Sequence, residues 1–290
     1  MTLTATLRRS PAVKRAVQAV TVNAGRLTSP WRMTPDFLVI GGQRCGTTSM
    51  YRTLSQHPAV LKAVRHKGVH YFDTDYDKGM AWYRAHFPLQ RTAAQVERRL
   101  GVRPQTFESA PYYMFHPLAA ERIERDLPGV KVIVLLRDPV ERAYSHYQHE
   151  VSFGREPLGF EEAIELEEER MEGELERMLA DPGYFSHAWW NYTYVARGLY
   201  AEQLERWYAS FPAEQLLVLA NEELSAEPAA TYARVLEFLG AAPHELESYP
   251  RVFDRDYPDL DAATRARLAD RFAGPNRRLY ELLGRDLGWD

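Results

Sequence analysis

The chain has 290 residues, 45% of them apolar and 26% charged, with 36 basic and 40 acidic side chains and a net charge of −4. That balance excludes disordered and fibrous classes, and no run approaches the roughly 20 apolar residues of a membrane-spanning helix. One cysteine, Cys45, cannot close an intrachain disulfide, and no Cys/His cluster has zinc-ligand spacing, so a reduced, cytoplasmic setting is expected.

Residues 1–35 carry Arg8, Arg9, Lys14, Arg15, Arg26 and Arg32 and no acid. We read residues 1–34 as a basic N-terminal arm and 35–290 as one domain, since no Gly/Ser/Pro-rich linker divides the rest. Lys14-Arg15 interrupts the apolar stretch 11–22, which argues against a secretory signal and for a basic helix that touches anionic lipid. The arm therefore predicts a peripheral membrane contact. The acidic remainder predicts no nucleic-acid partner.

Phe37-Leu38-Val39-Ile40 predicts a buried strand, ended by Gly41-Gly42. A helix over 47–56 follows, with Met50, Tyr51 and Leu54 at helical spacing and His57-Pro58 as its stop. The run 69–72 predicts a second strand, 79–87 and 93–100 helices, 106–108 a third strand and 117–127 another helix. The clearest strand is 130–136, closed by Arg137-Asp138-Pro139. Asp before Pro marks a helix start, and Val140, Ala143, Tyr144, Tyr147 and Val151 give the new helix a core-facing stripe. One acidic helix is expected over 160–180, where Glu161, Glu162, Glu165, Glu167, Glu168, Glu169, Glu172, Glu174 and Glu176 read as a solvated face. An amphipathic helix over 197–210, a strand at 216–219, a helix at 228–239 and a helix pair within 262–283 complete the chain. Uniformly apolar strands alternating with helices indicate an α/β fold with a mainly parallel sheet covered on both faces.

Gly41-Gly42-Gln43-Arg44-Cys45-Gly46-Thr47-Thr48 links the first strand to its helix, the context of a phosphate-binding loop. Thr47 stands where the lysine of a triphosphate loop belongs, which argues against an ATP- and Mg²⁺-dependent, nucleotide kinase-like phosphotransferase. Backbone N–H groups and the helix start still suit an anion, and Arg44 supplies a nearby charge. Arg137 closes the strongest strand and Ser145 lies two turns into the next helix, so the pair can converge on one phosphate beside the sheet.

With these motifs in order, the chain resembles the sulfotransferases that use 3′-phosphoadenosine 5′-phosphosulfate (PAPS), in the branch of bacterial enzymes and heparan sulfate sulfotransferases. The resemblance rests on residues 37–51 with Gln56-His57-Pro58, Lys67-Gly68-Val69-His70-Tyr71-Phe72-Asp73, Trp82-Tyr83, and Glu108-Ser109-Ala110-Pro111-Tyr112-Tyr113. It also rests on 132–147 and on the ending from Phe272 to Trp289. It implies a three-layer, P-loop, nucleotide-kinase-like α/β domain with a mainly parallel central sheet. It also implies that PAPS is the co-substrate and that transfer is metal-independent. Gln43, Arg44, Cys45, Gly46, Thr47, Thr48 and Ser49 fall on the 5′-phosphate loop, Arg44 in place of its lysine, and Arg137 and Ser145 on the 3′-phosphate pair.

The resemblance gives the acceptor's proton to a glutamate, but Gly68 occupies that position here. The base must be another residue. His70 is the first candidate, because an imidazole titrates near neutral pH; Glu108 is second and Asp73 third, with Arg44 and Lys67 completing the catalytic set. The missing glutamate also leaves open a nucleotide-binding regulator without chemistry. Arg251 or Arg255 can add charge near the cofactor. The acidic stretch argues against a heavily sulfated acceptor. Tyr112, Tyr113, Phe115, His116, Phe185, His187, Trp189, Trp190, Tyr192 and Tyr194 are candidate walls of an acceptor cleft, most of them expected to be packing residues. The acceptor expected is a small molecule, a lipid or a glycan.

Overall fold

The computed structural model describes residues 24–64, 66–250 and 257–289. Five strands, β1 (Phe37–Gly41), β2 (Val60–Lys62), β3 (Gln105–Ser109), β4 (Lys131–Leu136) and β5 (Leu216–Ala220), form one parallel sheet in the order β2-β3-β1-β4-β5. Every residue of β1 is buried, as are Val132 to Leu136 of β4, which requires cover on both faces. Gly41 has no room for a side chain, since a Cβ there would lie 2.1 Å from the Leu135 carbonyl oxygen.

The helices are α1 (Thr47–Leu54), α2 (Met80–Arg84), α3 (Gln90–Leu100), α4 (Ala119–Asp126), α5 (Pro139–Ser152), α6 (Phe160–Glu165), α7 (Glu167–Met171), α8 (Glu174–Ala180), α9 (His187–Asn191), α10 (Tyr200–Ser210), α11 (Asn221–Ala226), α12 (Pro228–Leu239) and α13 (Ala262–Leu283). The chain runs from β1 to one side of the sheet and crosses to the other side at β4. The crevice outside the carboxyl ends of β1 and β4 is thus the switch point where α/β folds bind ligands. The turns that carry Arg44 and Arg137 both open there.

Four expectations need correction. Residues 69–72 form no strand: the Val69 N–H donates to the Glu108 carboxylate (2.7 Å) and the Tyr71 N–H to the Tyr113 hydroxyl (2.9 Å). Side chains satisfy this backbone, so the apolar run is buried as a turn, and the edge strand is β2 instead. The acidic stretch is three helices, because Gly173 turns left-handed (φ 71°) and Glu167 turns inward. Its carboxylate accepts from the N–H groups of Val195 (2.6 Å) and Ala196 (2.7 Å). Glu174 is also buried and takes the Tyr184 hydroxyl at 3.0 Å, so these two leave the solvated face. The C-terminal pair is one continuous helix through Pro275, held down by Leu268, Phe272, Asn276 and Leu279. On α5 Val151 is exposed, while polar Arg142, Ser145, His146 and Glu150 are buried.

Residues 24–33 lie against the domain. Arg32 donates to the Phe87 carbonyl (2.6 Å), the Met33 N–H donates to the Pro88 carbonyl (2.9 Å), and Met33 joins the core. The stretch 11–22 and both Arg251 and Arg255 lie outside the described residues. No helix among the described residues is long and apolar enough to cross a membrane.

Candidate active site

A cavity of about 430 Å³ opens at the β1/β4 crevice, lined by Gln43, Arg44, Gly46, Thr47, Thr48, Ser49, Lys67 and Arg137 among others. Gly46 is the N-cap of α1, in the left-handed region at φ 85°. It has no side chain with which to cap, so the orphan N–H groups of the first turn face the cavity. The first turn also holds no acid that would oppose an anion. A Cβ at Gly46 would meet Asn221 Oδ1 at 2.3 Å, which fixes glycine there for space as well as for backbone angle.

Lys67 reaches this helix start from the loop after β2. Its Nζ donates to Thr47 Oγ1 at 3.0 Å and Thr48 Oγ1 at 2.9 Å. Burial pushes its pKa down to about 7, since no carboxylate offsets the cost of holding the charge in a desolvated place. The cation absent from position 47 of the loop is therefore supplied from twenty residues downstream. Arg44, at φ 79°, donates through Nε to Ser145 Oγ at 3.0 Å. Arg137 faces the cavity with its guanidinium 3.5 Å from Glu141. Ser145 is 1% exposed, so the structure puts it behind the crevice wall, in contact with the loop through Arg44.

Cys45 takes a different place from its neighbours. Its side chain is buried 3.6 Å from the Tyr200 hydroxyl, its N–H donates to the Gly42 carbonyl, and burial pushes its thiol up to about 11. It shapes the loop from beneath. Gln43 faces inward as well as lining the cavity: its amide donates to Glu150 (3.4 Å) and accepts from Arg197.

His70 and Arg44 are the only non-glycine residues at positive φ among the described residues. Such strain of about 1–3 kcal/mol per residue persists where the surroundings hold it. The His70 Nδ1 lies 2.8 Å from buried Asp73 Oδ2, which fixes the ring and leaves Nε2 toward Gly68. A Cβ at Gly68 would stand 3.3 Å from that Nε2 and 2.9 Å from the Ser109 carbonyl oxygen, so the histidine ring occupies the space a side chain at 68 would need. Burial opposes the imidazolium, but the Asp73 carboxylate and hydrogen bond, with Glu108 and Asp75, outweigh it and raise the His70 pKa.

Glu108 is fully buried and both its oxygens are engaged. Oε1 accepts from the hydroxyls of Tyr83 (2.7 Å) and Tyr113 (3.0 Å), and Oε2 from the Val69 N–H. Burial pushes it up to about 7 against those bonds. It anchors the turn that carries His70, and neither Glu108 nor His70 is among the residues that line the cavity, Lys67 being the contribution of this segment.

Of the aromatic wall candidates, Tyr112, Phe115 and Trp189 form a small core of their own with Met178. Tyr113, His116 and Tyr194 are buried too, and Tyr192 and His187 pack on each other. Only Phe185 and Trp190 continue outward from His70. Sequence reasoning missed Asn221, Leu224 and Tyr249 on the cavity wall. The position of Asn221 two residues beyond the strand expected at 216–219 was the available signal, because strand ends line such crevices. It also missed Arg197, for which the sequence offers no signal.

The Sulfotransferase domain model matches residues 34–253. The chain is 30% identical to the solved structure of a sulfotransferase from Alicyclobacillus acidocaldarius, covering 89% of this chain and 99% of that one, with a TM-score of 0.64. It is 27% identical to the membrane-associated sulfotransferase kil1 of Dictyostelium discoideum over 88% of its own length. It is 28% identical to the human heparan sulfate glucosamine 3-O-sulfotransferase 3B1 over 89%. The chain spans 66% of the length of each of these two curated relatives.

Proposed function

The chain belongs to the sulfotransferase domain family, and from that premise we propose that it moves a sulfuryl group from PAPS to a hydroxyl or amine of an acceptor by in-line displacement. The observation that carries this reading is the convergence of an uncapped helix start, two threonine hydroxyls, Lys67, Arg44 and Arg137 on one cavity. These residues suit a nucleoside that bears phosphates at two separate positions. The first turn of α1, with Gly46, Thr47, Thr48, Ser49 and Lys67, would hold the 5′ end. Arg137 would hold the 3′-phosphate, and the Arg44–Ser145 bond would tie that side to the loop.

Sulfuryl transfer, like phosphoryl transfer, is catalysed by positioning and by stabilising charge. The acceptor oxygen attacks sulfur as the bond between sulfur and the bridging oxygen breaks. Negative charge grows on the departing 5′-phosphate, where fixed N–H groups and the ammonium of Lys67 stabilise it without reorganisation. His70 Nε2 takes the acceptor's proton, while Asp73 holds the ring through Nδ1 and stabilises the imidazolium that forms. No step in this scheme calls for a metal, so turnover should persist in a chelator.

Calorimetric titration with 3′-phosphoadenosine 5′-phosphate (PAP) set against ATP tests the donor side. PAP binds at least about tenfold more tightly than ATP, a gap of roughly 1.4 kcal/mol, and Arg137→Ala removes the preference. Equal binding of the two, or a preference that survives Arg137→Ala, would sink the reading. Transfer of labelled sulfate from PAPS into product tests the chemistry.

A further inference from the structure

Three aromatic rings, His70, Trp190 and Phe185, run from the candidate base toward solvent, with buried Tyr112 backing the middle one. The His70 ring lies 5.3 Å from Trp190, and Trp190 lies 4.4 Å from Tyr112 and 5.5 Å from Phe185. Phe185 is 49% exposed, an aromatic ring the fold leaves open at the end of this line. The platform is rigid. Ser186 caps α9 by accepting from the Trp189 N–H (3.0 Å), and buried Arg197 donates to the carbonyls of both Trp189 and Trp190 at 2.8 Å. Arg197 also packs over the Tyr112 and Phe115 rings, so the indole of Trp190 is backed by held groups.

The surroundings are mainly acidic, with Arg177 the one exposed base on the three helices of the acidic stretch. Helix α7 lies against α9, and α6 to α8 present Glu162, Glu165, Glu169, Glu172 and Glu176 to solvent. A polyanionic chain would meet repulsion along this approach. A flat, uncharged body would instead gain ring–ring contact and bury Phe185.

We propose that the acceptor is an uncharged alcohol carried on an aromatic body, lying on Phe185 and Trp190 with its hydroxyl at His70 Nε2. This rests on the sulfuryl-transfer reading above. The acceptor O–H proton passes to Nε2, the new S–O bond forms from the acceptor oxygen, and PAP leaves with the electron pair of the broken S–O bond. The product is an aryl-borne sulfate ester.

The test uses the full chain with labelled PAPS and two acceptors, 2-naphthol and completely desulfated heparan. Label enters 2-naphthol, and Phe185→Ala raises the KM for 2-naphthol about fivefold to tenfold, the scale of one lost aromatic contact, while the KM for PAPS holds. Phe185 is exposed, and an unchanged melting temperature confirms that the variant is folded. Transfer to the glycan alone, or a KM for 2-naphthol unmoved by Phe185→Ala, overturns the proposal. No transfer to either acceptor while PAP still binds also overturns it and leaves the sulfuryl-transfer reading standing. Failure to bind PAP defeats that reading itself.

Discussion

His70, the proposed base, owes its orientation to its backbone. A left-handed φ of 60° turns the ring back over Gly68, and Asp73 then locks Nδ1. A base must be neutral to accept a proton, and the His70 pKa lies above its ordinary 6.5. The kcat/KM therefore rises with pH through a value above 6.5. Asp73→Asn removes the main group favouring the imidazolium, so this limb moves to lower pH even as the ring loses its orientation. His70→Ala costs about 10²–10⁴ in kcat. A pH–rate profile in which Asp73→Asn leaves the acid limb in place would refute the pairing. Lys67 acts in the opposite sense, because its charged form is the useful one. The kcat/KM for PAPS falls as pH passes about 7, whereas bound phosphate favours the ammonium and carries the fall in kcat to higher pH. Glu108 shows why residue type alone misleads. It has the right chemistry for a base, but two tyrosine hydroxyls and a backbone N–H already hold its oxygens.

At the scale of elements, the β1–loop–α1 unit depends on Gly46 for two reasons, a φ of 85° and the 2.3 Å approach of Asn221 to any Cβ. Gly101 shares the first reason only, at φ 73° with nothing within 4 Å. Gly101→Ala thus costs about 1–2 kcal/mol of backbone strain and leaves PAP affinity unchanged. Gly46→Ala costs more stability and weakens PAP binding by at least about tenfold, since the clash displaces the helix start that grips the anion. Parallel melting curves and titrations of the two variants measure the difference, and equal effects would deny the loop its role. The main strands β1, β4 and β5 were legible because fully buried parallel strands read as unbroken apolar runs. The same rule failed at 69–72, where an apolar run is buried as a turn through bonds to Glu108 and Tyr113. It failed again at β2, where three residues with one buried side chain carry no pattern. Motif context picked out the β1–α1 loop and Arg137, and the resemblance picked out Lys67, but the bonds that bring Lys67 to Thr47 and Thr48 emerge only when distant segments meet. Helix α5 shows the same limit, since its buried polar face, Arg142, Ser145, His146 and Glu150, is invisible to hydrophobic periodicity.

Across the whole molecule, Arg197 joins the donor loop to the aromatic platform. Fully buried, its pKa lowered to about 10 by that burial, it donates to Gln43 on one side and to the Trp189 and Trp190 carbonyls on the other. Arg197→Lys cannot span these partners with a single ammonium. It weakens PAP binding and raises the acceptor KM together, and a double-mutant cycle with Gln43→Ala yields a coupling of about 1 kcal/mol or more. Strictly additive effects would break the link. A similar economy governs the chain's one sulfur nucleophile. Cys45 is sealed between Gly42 and Tyr200, where a Cβ at Gly42 would come within 2.7 Å of its Sγ. With its thiol held up at about 11, it stays inert to alkylating reagents until the loop lifts off the sheet. Labelling speed at that single atom is therefore a clock for how often the turn between β1 and α1 breathes, readable on the native sequence without installing any probe.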